Sequence, residues 1–217
     1  IERGNIMRRV VITGIGTINP VGHNLEESWE NIKKGVCGID FTKQIDTTDF
    51  KVKVSGEVKD YDPANFLDKK EARKMDRYTQ FGMIAAREAI KDSGIDIEKE
   101  DPFRCGAIVS SGIGGLITIS DQTIRGYTKG YERISPFYIP MSISNMCAGE
   151  IAIDTGFKGV CECIVTACAS GNNAIGESFH KIRDGYQDVM ITGGAEGCIC
   201  QMGVGGFTVM QALSTST

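Results

Sequence analysis

The sequence predicts an α/β fold built on a largely parallel sheet. Two observations predict it: short apolar runs alternate with segments of helical periodicity, and several runs end at glycine, as strands do at tight turns. The 217 residues hold 41% hydrophobic and 24% charged side chains, a balance that allows a sizeable core and argues against disorder. No apolar run is long enough for a membrane-spanning helix. Residues 1–9 lack the apolar stretch and small-residue cleavage site of a signal peptide. The net charge of −4 argues against bulk nucleic-acid binding. The 8 cysteines come with no export signal, so they read as mostly buried reduced thiols of a cytoplasmic protein.

The elements follow in chain order. Met7 reads as a natural start, with residues 1–6 an upstream extension and 7–217 one domain. Val10 to Gly14 predicts a short buried strand. Asn24 has the character of an N-cap, with Glu27 as its capping-box partner, before a helix over 25–34. Residues 36–66 are polar and aperiodic, so they predict surface loops with room for one short hairpin. A long helix is expected from Lys70 to Ser93, with Tyr78, Phe81, Ala85 and Ala89 on one face and Gly94 ending it. A second strand, 105–110, runs into Ser111-Gly112-Ile113-Gly114-Gly115 and then a helix over 116–126. Residues 135–140 read as irregular and 142–154 as a further helix. Strands over 162–167 and 188–193 then flank a helix over 169–184, and no helix is expected at the end, from Gln211 onward.

The sharpest chemical feature is Val165-Thr166-Ala167-Cys168-Ala169-Ser170-Gly171, a strand turning into a helix with Cys168 at the junction. Free amides and the helix dipole at such a junction stabilise negative charge on sulfur, which makes a nucleophile, and can hold an oxyanion. A buried structural thiol is the competing reading, because cysteine is among the most buried residue types. Gly171 and Gly176 each weaken the helix by roughly 1 kcal/mol relative to Ala, so something is expected to approach its backbone closely.

Together with the glycine loop at 111–115, the downstream Gly193-Gly194-Ala195-Glu196, Gly203-Val204-Gly205-Gly206-Phe207 and Ala212-Leu213-Ser214-Thr215 make this chain resemble the β-ketoacyl-[acyl-carrier-protein] synthases. Within them it looks most like the elongating enzymes of bacterial fatty-acid synthesis. The resemblance implies a thiolase-like fold: the N-terminal half of an αβαβα layered sandwich with a mostly parallel mixed sheet. It also implies a homodimer and a reaction that needs no dissociable cofactor. By the same resemblance, Cys168 takes an acyl chain from acyl carrier protein and condenses it with malonyl-loaded carrier. Ile113 and Phe207 line the substrate pocket, and Tyr138, within 136–140, lies on a segment that reaches toward the partner subunit's pocket.

The family also uses two histidines and a lysine from its second half, so this chain reads as a first half that needs them for condensation. Of its 2 histidines, His180 lies roughly 18 Å along the helix from Cys168, at 1.5 Å per residue, and His23 matches no catalytic position. Both read as structural or surface groups.

Lys70, Arg73, Lys74 and Arg77 would share one face of a continuous helix. They read either as a solvated face or, by resemblance for Lys70, Arg73 and Lys74, as the dock for the acidic carrier. Gln211 departs from the arginine that relatives often carry in this patch. The two C-x-C pairs, 161/163 and 198/200, do not match the usual spacing of structural zinc, so no metal is expected. Gly14-Ile15-Gly16 opens no helix, so it is not a dinucleotide fingerprint. Two rival functions remain: a non-catalytic partner or scaffold subunit, against which Cys168 speaks, and a polyketide-type ketosynthase half.

Overall fold

The computed structural model describes residues 8–216; Ile1–Met7 and Thr217 lie outside it, and with them the expected upstream extension. The helices are α1 (Leu25–Lys33), α2 (Lys69–Ala72), α3 (Arg77–Ser93), α4 (Leu116–Lys129), α5 (Tyr138–Ser142), α6 (Met146–Thr155), α7 (Ser170–Arg183) and α8 (Gln201–Val209). The strands are β1 (Asp40–Phe41), β2 (Val54–Ser55), β3 (Cys105–Ser110), β4 (Cys161–Glu162) and β5 (Val189–Gly194).

The main sheet has the order β4-β3-β5 and is parallel throughout, with Ala107 opposite both Cys161 and Ile191. The antiparallel pairing predicted for a mixed sheet occurs separately, as the short β1–β2 pair inside the 36–66 loop region. Alternation along β5 places helices on both faces. Ile191 packs with the cluster of Tyr78 and Met83 from α3 and Cys147 and Ile151 from α6. Gly194, of opposite parity, meets Gly171 of α7. A helix–sheet–helix stack results, with β3 buried along its whole length between the layers.

Local chemistry explains most boundaries. Asn24 caps α1 by accepting from Glu27 N at 2.8 Å, while the Glu27 carboxylate reaches back to His23 N at 2.7 Å, one residue past the expected reciprocal partner. Gly94, left-handed at φ 66, closes α3.

Four expectations need correction. The run Val10–Gly14 is not a strand: Val11 is 58% exposed and Ile12 80%, and no strand pairs with them among the described residues. Its backbone lies instead against α3, where Ile15 N donates to Asp92 (2.9 Å) and Thr17 N to Glu88 (2.8 Å). The long helix is two helices. Asp76, 2% exposed, breaks the run because its carboxylate caps Tyr78 N (3.3 Å) and also takes Thr118 N (2.8 Å) and Thr118 Oγ1 (2.6 Å) from α4. Burial pushes that carboxyl up from its ordinary value, although the bonds to Thr118 pull the other way. The buried face of α3 is accordingly offset to Tyr78, Met83, Ile84 and Ala86. The irregular 135–140 segment enters α5 at Tyr138, and the strand expected over 162–167 stops at Glu162.

Candidate active site

Between β4 and α7 the chain leaves the sheet and reverses. Ala167 has φ 53, a left-handed conformation that costs a non-glycine residue about 1 kcal/mol or more. Ser170, 3% exposed, holds it there: its hydroxyl accepts from Thr166 N (2.9 Å) and donates to Ala167 O (2.6 Å). Asn173 Nδ2 donates to Thr166 Oγ1 from the next turn of the helix. Cys168 stands on this turn, two residues before α7, and is exposed, so it is not the buried structural thiol of the competing reading. Its backbone N–H makes no hydrogen bond among the described residues. The turn therefore offers a surface thiol beside open helix-terminus amides, the arrangement that stabilises a thiolate and, later, an oxyanion.

Close backbone packing sets the position of α7. A Cβ on Gly194 would lie 2.9 Å from Gly171 Cα, so a side chain there would push the helix off the sheet, and one on Gly171 would make a tight contact 3.2 Å from Gly194 Cα. Gly176 meets nothing within 4 Å, so the close approach expected there is absent among the described residues.

The structure brings the glycine loop to the same place. A Cβ on Gly112 would lie 3.2 Å from Ala167 O, and Ile113 beside it is 37% exposed. The loop is tied on its other side by Glu196, just past β5, whose carboxylate accepts from Ser111 Oγ (2.8 Å) and Gly112 N (2.9 Å). Ser170, Asn173 and Glu196 had no assigned role in the sequence reading, although all stand in or beside the quoted motifs. Phe207 lies part-buried on α8 and Tyr138 part-buried at the start of α5. These helices reach the loop from other sides: α8 approaches through Gly203, beside Leu116, and α5 through Ser142 O, which accepts from Gly115 N at 3.1 Å.

The histidines stand elsewhere. His23 Nε2 is 2.6 Å from Lys59 O, and His180 sits in the last turn of α7 with its ring 5.6 Å from that of Phe179.

The basic residues do not form one helical face, because α2 ends at Ala72. Lys70, Arg73 and Lys74 are exposed, with the Lys74 ammonium 5.7 Å from the centre of the Phe137 ring. Arg77 turns aside and stacks on Tyr61 at 5.4 Å. Beside them is a cavity of about 340 Å³ lined by Lys70 and Lys74 but also by Asp68, Glu71, Glu150 and Asp154. Burial and the neighbouring Glu71 raise the Glu150 carboxyl above its ordinary value. The patch is thus a mixed-charge surface with a basic rim.

Comparison with known proteins decides the family. The description "Beta-ketoacyl synthase, N-terminal domain" matches residues 7–217. The chain belongs to this family. Among curated relatives, the 3-oxoacyl-[acyl-carrier-protein] synthase 2 of Staphylococcus aureus (strain COL) is 46% identical over 209 residues, covering 96% of this chain and 50% of that protein. The enzyme of the same name from Synechocystis is 42% identical over 207 residues, covering 95% and 50%. The ketosynthase domain described here therefore spans about half the length of the curated relatives it matches. Among solved structures, the ishigamide ketosynthase/chain length factor superposes with TM-score 0.86 at 26% identity, over 96% of this chain and 52% of that one. A type II polyketide ketosynthase in complex with its acyl-carrier protein superposes with TM-score 0.80 at 24% identity, over 93% and 55%. The fold is that of the thiolase-like ketosynthases.

Proposed function

We propose that this domain supplies the nucleophile of a β-ketoacyl-[acyl-carrier-protein] synthase acting in fatty-acid elongation. One observation carries the reading: an exposed thiol, Cys168, on a turn locked by Ser170 at the N-terminus of α7. The Cys168 thiolate adds to the thioester carbonyl of acyl-loaded carrier protein. The intermediate collapses with the carrier's thiolate as leaving group, and the acyl chain remains on Sγ. Malonyl-loaded carrier then replaces the first carrier. Loss of CO2 leaves an electron pair on the α-carbon, which attacks the acyl carbonyl and expels the Cys168 thiolate. The N–H of Cys168 and the open amides of the first turn of α7 are the donors this chain offers to the oxyanion.

The second step also needs groups that polarise the malonyl thioester, and no imidazole of this chain serves, since His180 is at the far end of α7. Two histidines and a lysine from the other half complete the set. Ile113, Phe207 and Tyr138 line the acyl pocket, Lys70, Arg73 and Lys74 meet the acidic carrier, two copies pair, and the setting is the cytoplasm. No helix among the described residues is long and apolar enough to cross a membrane. The 46% identity to a 3-oxoacyl-[acyl-carrier-protein] synthase 2 supports fatty-acid over polyketide chemistry. In the full-length protein, Cys168→Ala is expected to abolish both acyl loading and condensation. Loading that persists in the variant would refute the assignment.

A further inference from the structure

We propose that Glu196 is a positioning residue: it fixes the loop that bears Ile113 against the Cys168 turn and so decides which acyl chains the thiol accepts. The inference rests on the acyl-transfer reading above. The β3–β5 ladder ends at Ser110 opposite Gly194, with Ala195 N donating to Ser110 O at 2.9 Å. Beyond that point the two backbones diverge, β3 into the glycine loop and β5 toward α8. The Glu196 side chain spans the gap as the next rung, taking Ser111 Oγ with one oxygen (2.8 Å) and Gly112 N with the other (2.9 Å). The Ser111 hydroxyl, on a residue 1% exposed, in turn accepts from Gly114 N at 2.8 Å. The carboxylate thus holds the loop before Ile113 directly and after it through the Ser111 hydroxyl.

Three features separate this clasp from ordinary surface bonding. Glu196 is exposed, yet it forms no salt bridge among the described residues; its partners are one hydroxyl and one amide. A charged acceptor holds such donors more tightly than a neutral one would. The clamped backbone is also wedged against the nucleophile turn, because a Cβ on Gly112 would lie 3.1 Å from Glu196 Oε2 and 3.2 Å from Ala167 O. Gly112 is therefore held between the carboxylate and the carbonyl of the residue before Cys168. Loosening Glu196 frees Ile113 to move relative to the thiol without touching either residue.

The test uses the full-length protein with Glu196→Ala and the near-isosteric Glu196→Gln, which keeps one acceptor oxygen. Hydrogen exchange is followed at residues 112–114, and acylation of the Cys168 thiol is timed with carrier proteins bearing acyl chains of increasing length. Losing the two bonds is expected to speed exchange at Gly112 and Gly114 by about fivefold or more in the alanine variant and by less in glutamine. The ratio of long-chain to short-chain acylation rates is expected to shift by about threefold or more, a change of roughly 0.7 kcal/mol in discrimination. Unchanged exchange, or a rate loss equal at every chain length, would overturn the proposal. If wild-type protein takes up no acyl group at Cys168, the acyl-transfer reading falls and the selection role falls with it, whereas exchange would still report the clasp separately. Should the alanine variant fail to fold, the glutamine variant carries the same comparison.

Discussion

A single hydroxyl, that of Ser170, closes the turn that presents Cys168. It sits on a side chain 3% exposed and bonds both the amide before the left-handed Ala167 and the carbonyl of Ala167 itself. Ser170→Ala removes both bonds and leaves two backbone groups without that partner, at a cost of about 1–3 kcal/mol. Ala167 is then free to relax toward ordinary backbone geometry, and the thiol moves off the axis of the first helical turn. Acylation of Cys168 is expected to slow by tenfold or more on the order-of-magnitude scale of that cost, while Ser170→Thr, which keeps the hydroxyl, restores most of the rate. Timed acylation of both variants checks this, and an alanine variant acylated at the wild-type rate would show that the turn holds itself. The place of Cys168 just before a helix is legible in the sequence, although the strand expected to lead into it ends at Glu162. The part played by Ser170 is not, since its two partners meet only once the chain has reversed.

Among the elements, β3, β5, α4 and α7 are legible because apolar runs and helical periodicity survive translation into packing. The elements that mislead do so for tertiary reasons. Val10–Gly14 has the composition of a buried strand but finds no partner strand among the described residues. Asp76 breaks the long helix because α4 supplies two donors to its carboxylate. In α8, three glycines in nine residues hide a helix, and Gly203 is needed there because a Cβ would strike Cys198 O. Sheet register has its own lock at the start of β5. Asp188 accepts from Arg104 Nε (2.8 Å) and Nη2 (2.7 Å) and from Arg8 Nη1 (2.6 Å). The Arg104 guanidinium is the main cause holding its carboxyl down at about 2, with Arg8 adding to it. A depressed carboxyl stabilises the fold above its unfolded value, about 3.9, and loses that contribution as the pH falls toward the folded value. Asp188→Asn is therefore expected to lower the thermal midpoint at neutral pH, with the gap to wild type closing on acidification below about 4. The gap should also narrow in high salt, since the cluster is exposed. A gap that stays constant with pH would deny the ion pairs this role. At the α2–α3 junction, Arg73 and Lys74 stand exposed beside a cavity with four carboxylates. Changing both to Glu is expected to raise the dissociation constant for acyl carrier protein, more at low salt than at high, as electrostatic steering requires. An unchanged constant would return this surface to a solvated role.

On the scale of the molecule, the exposed apolar residues follow the fold. Val11, Ile12, Val165, Ile175 and Phe179 are all exposed. Exposed apolar surface of this kind is where a further packing partner is expected, and curated relatives are about twice the length that this chain covers. The central claim, that Cys168 receives the acyl chain, is tested most directly by intact-mass measurement after incubation with medium-chain acyl carrier protein, followed by peptide mapping. A preparation containing both halves is predicted to gain one acyl mass, located on the peptide bearing Cys168. No added mass in that preparation, or an adduct mapped to Cys161, Cys163 or another thiol, would contradict it.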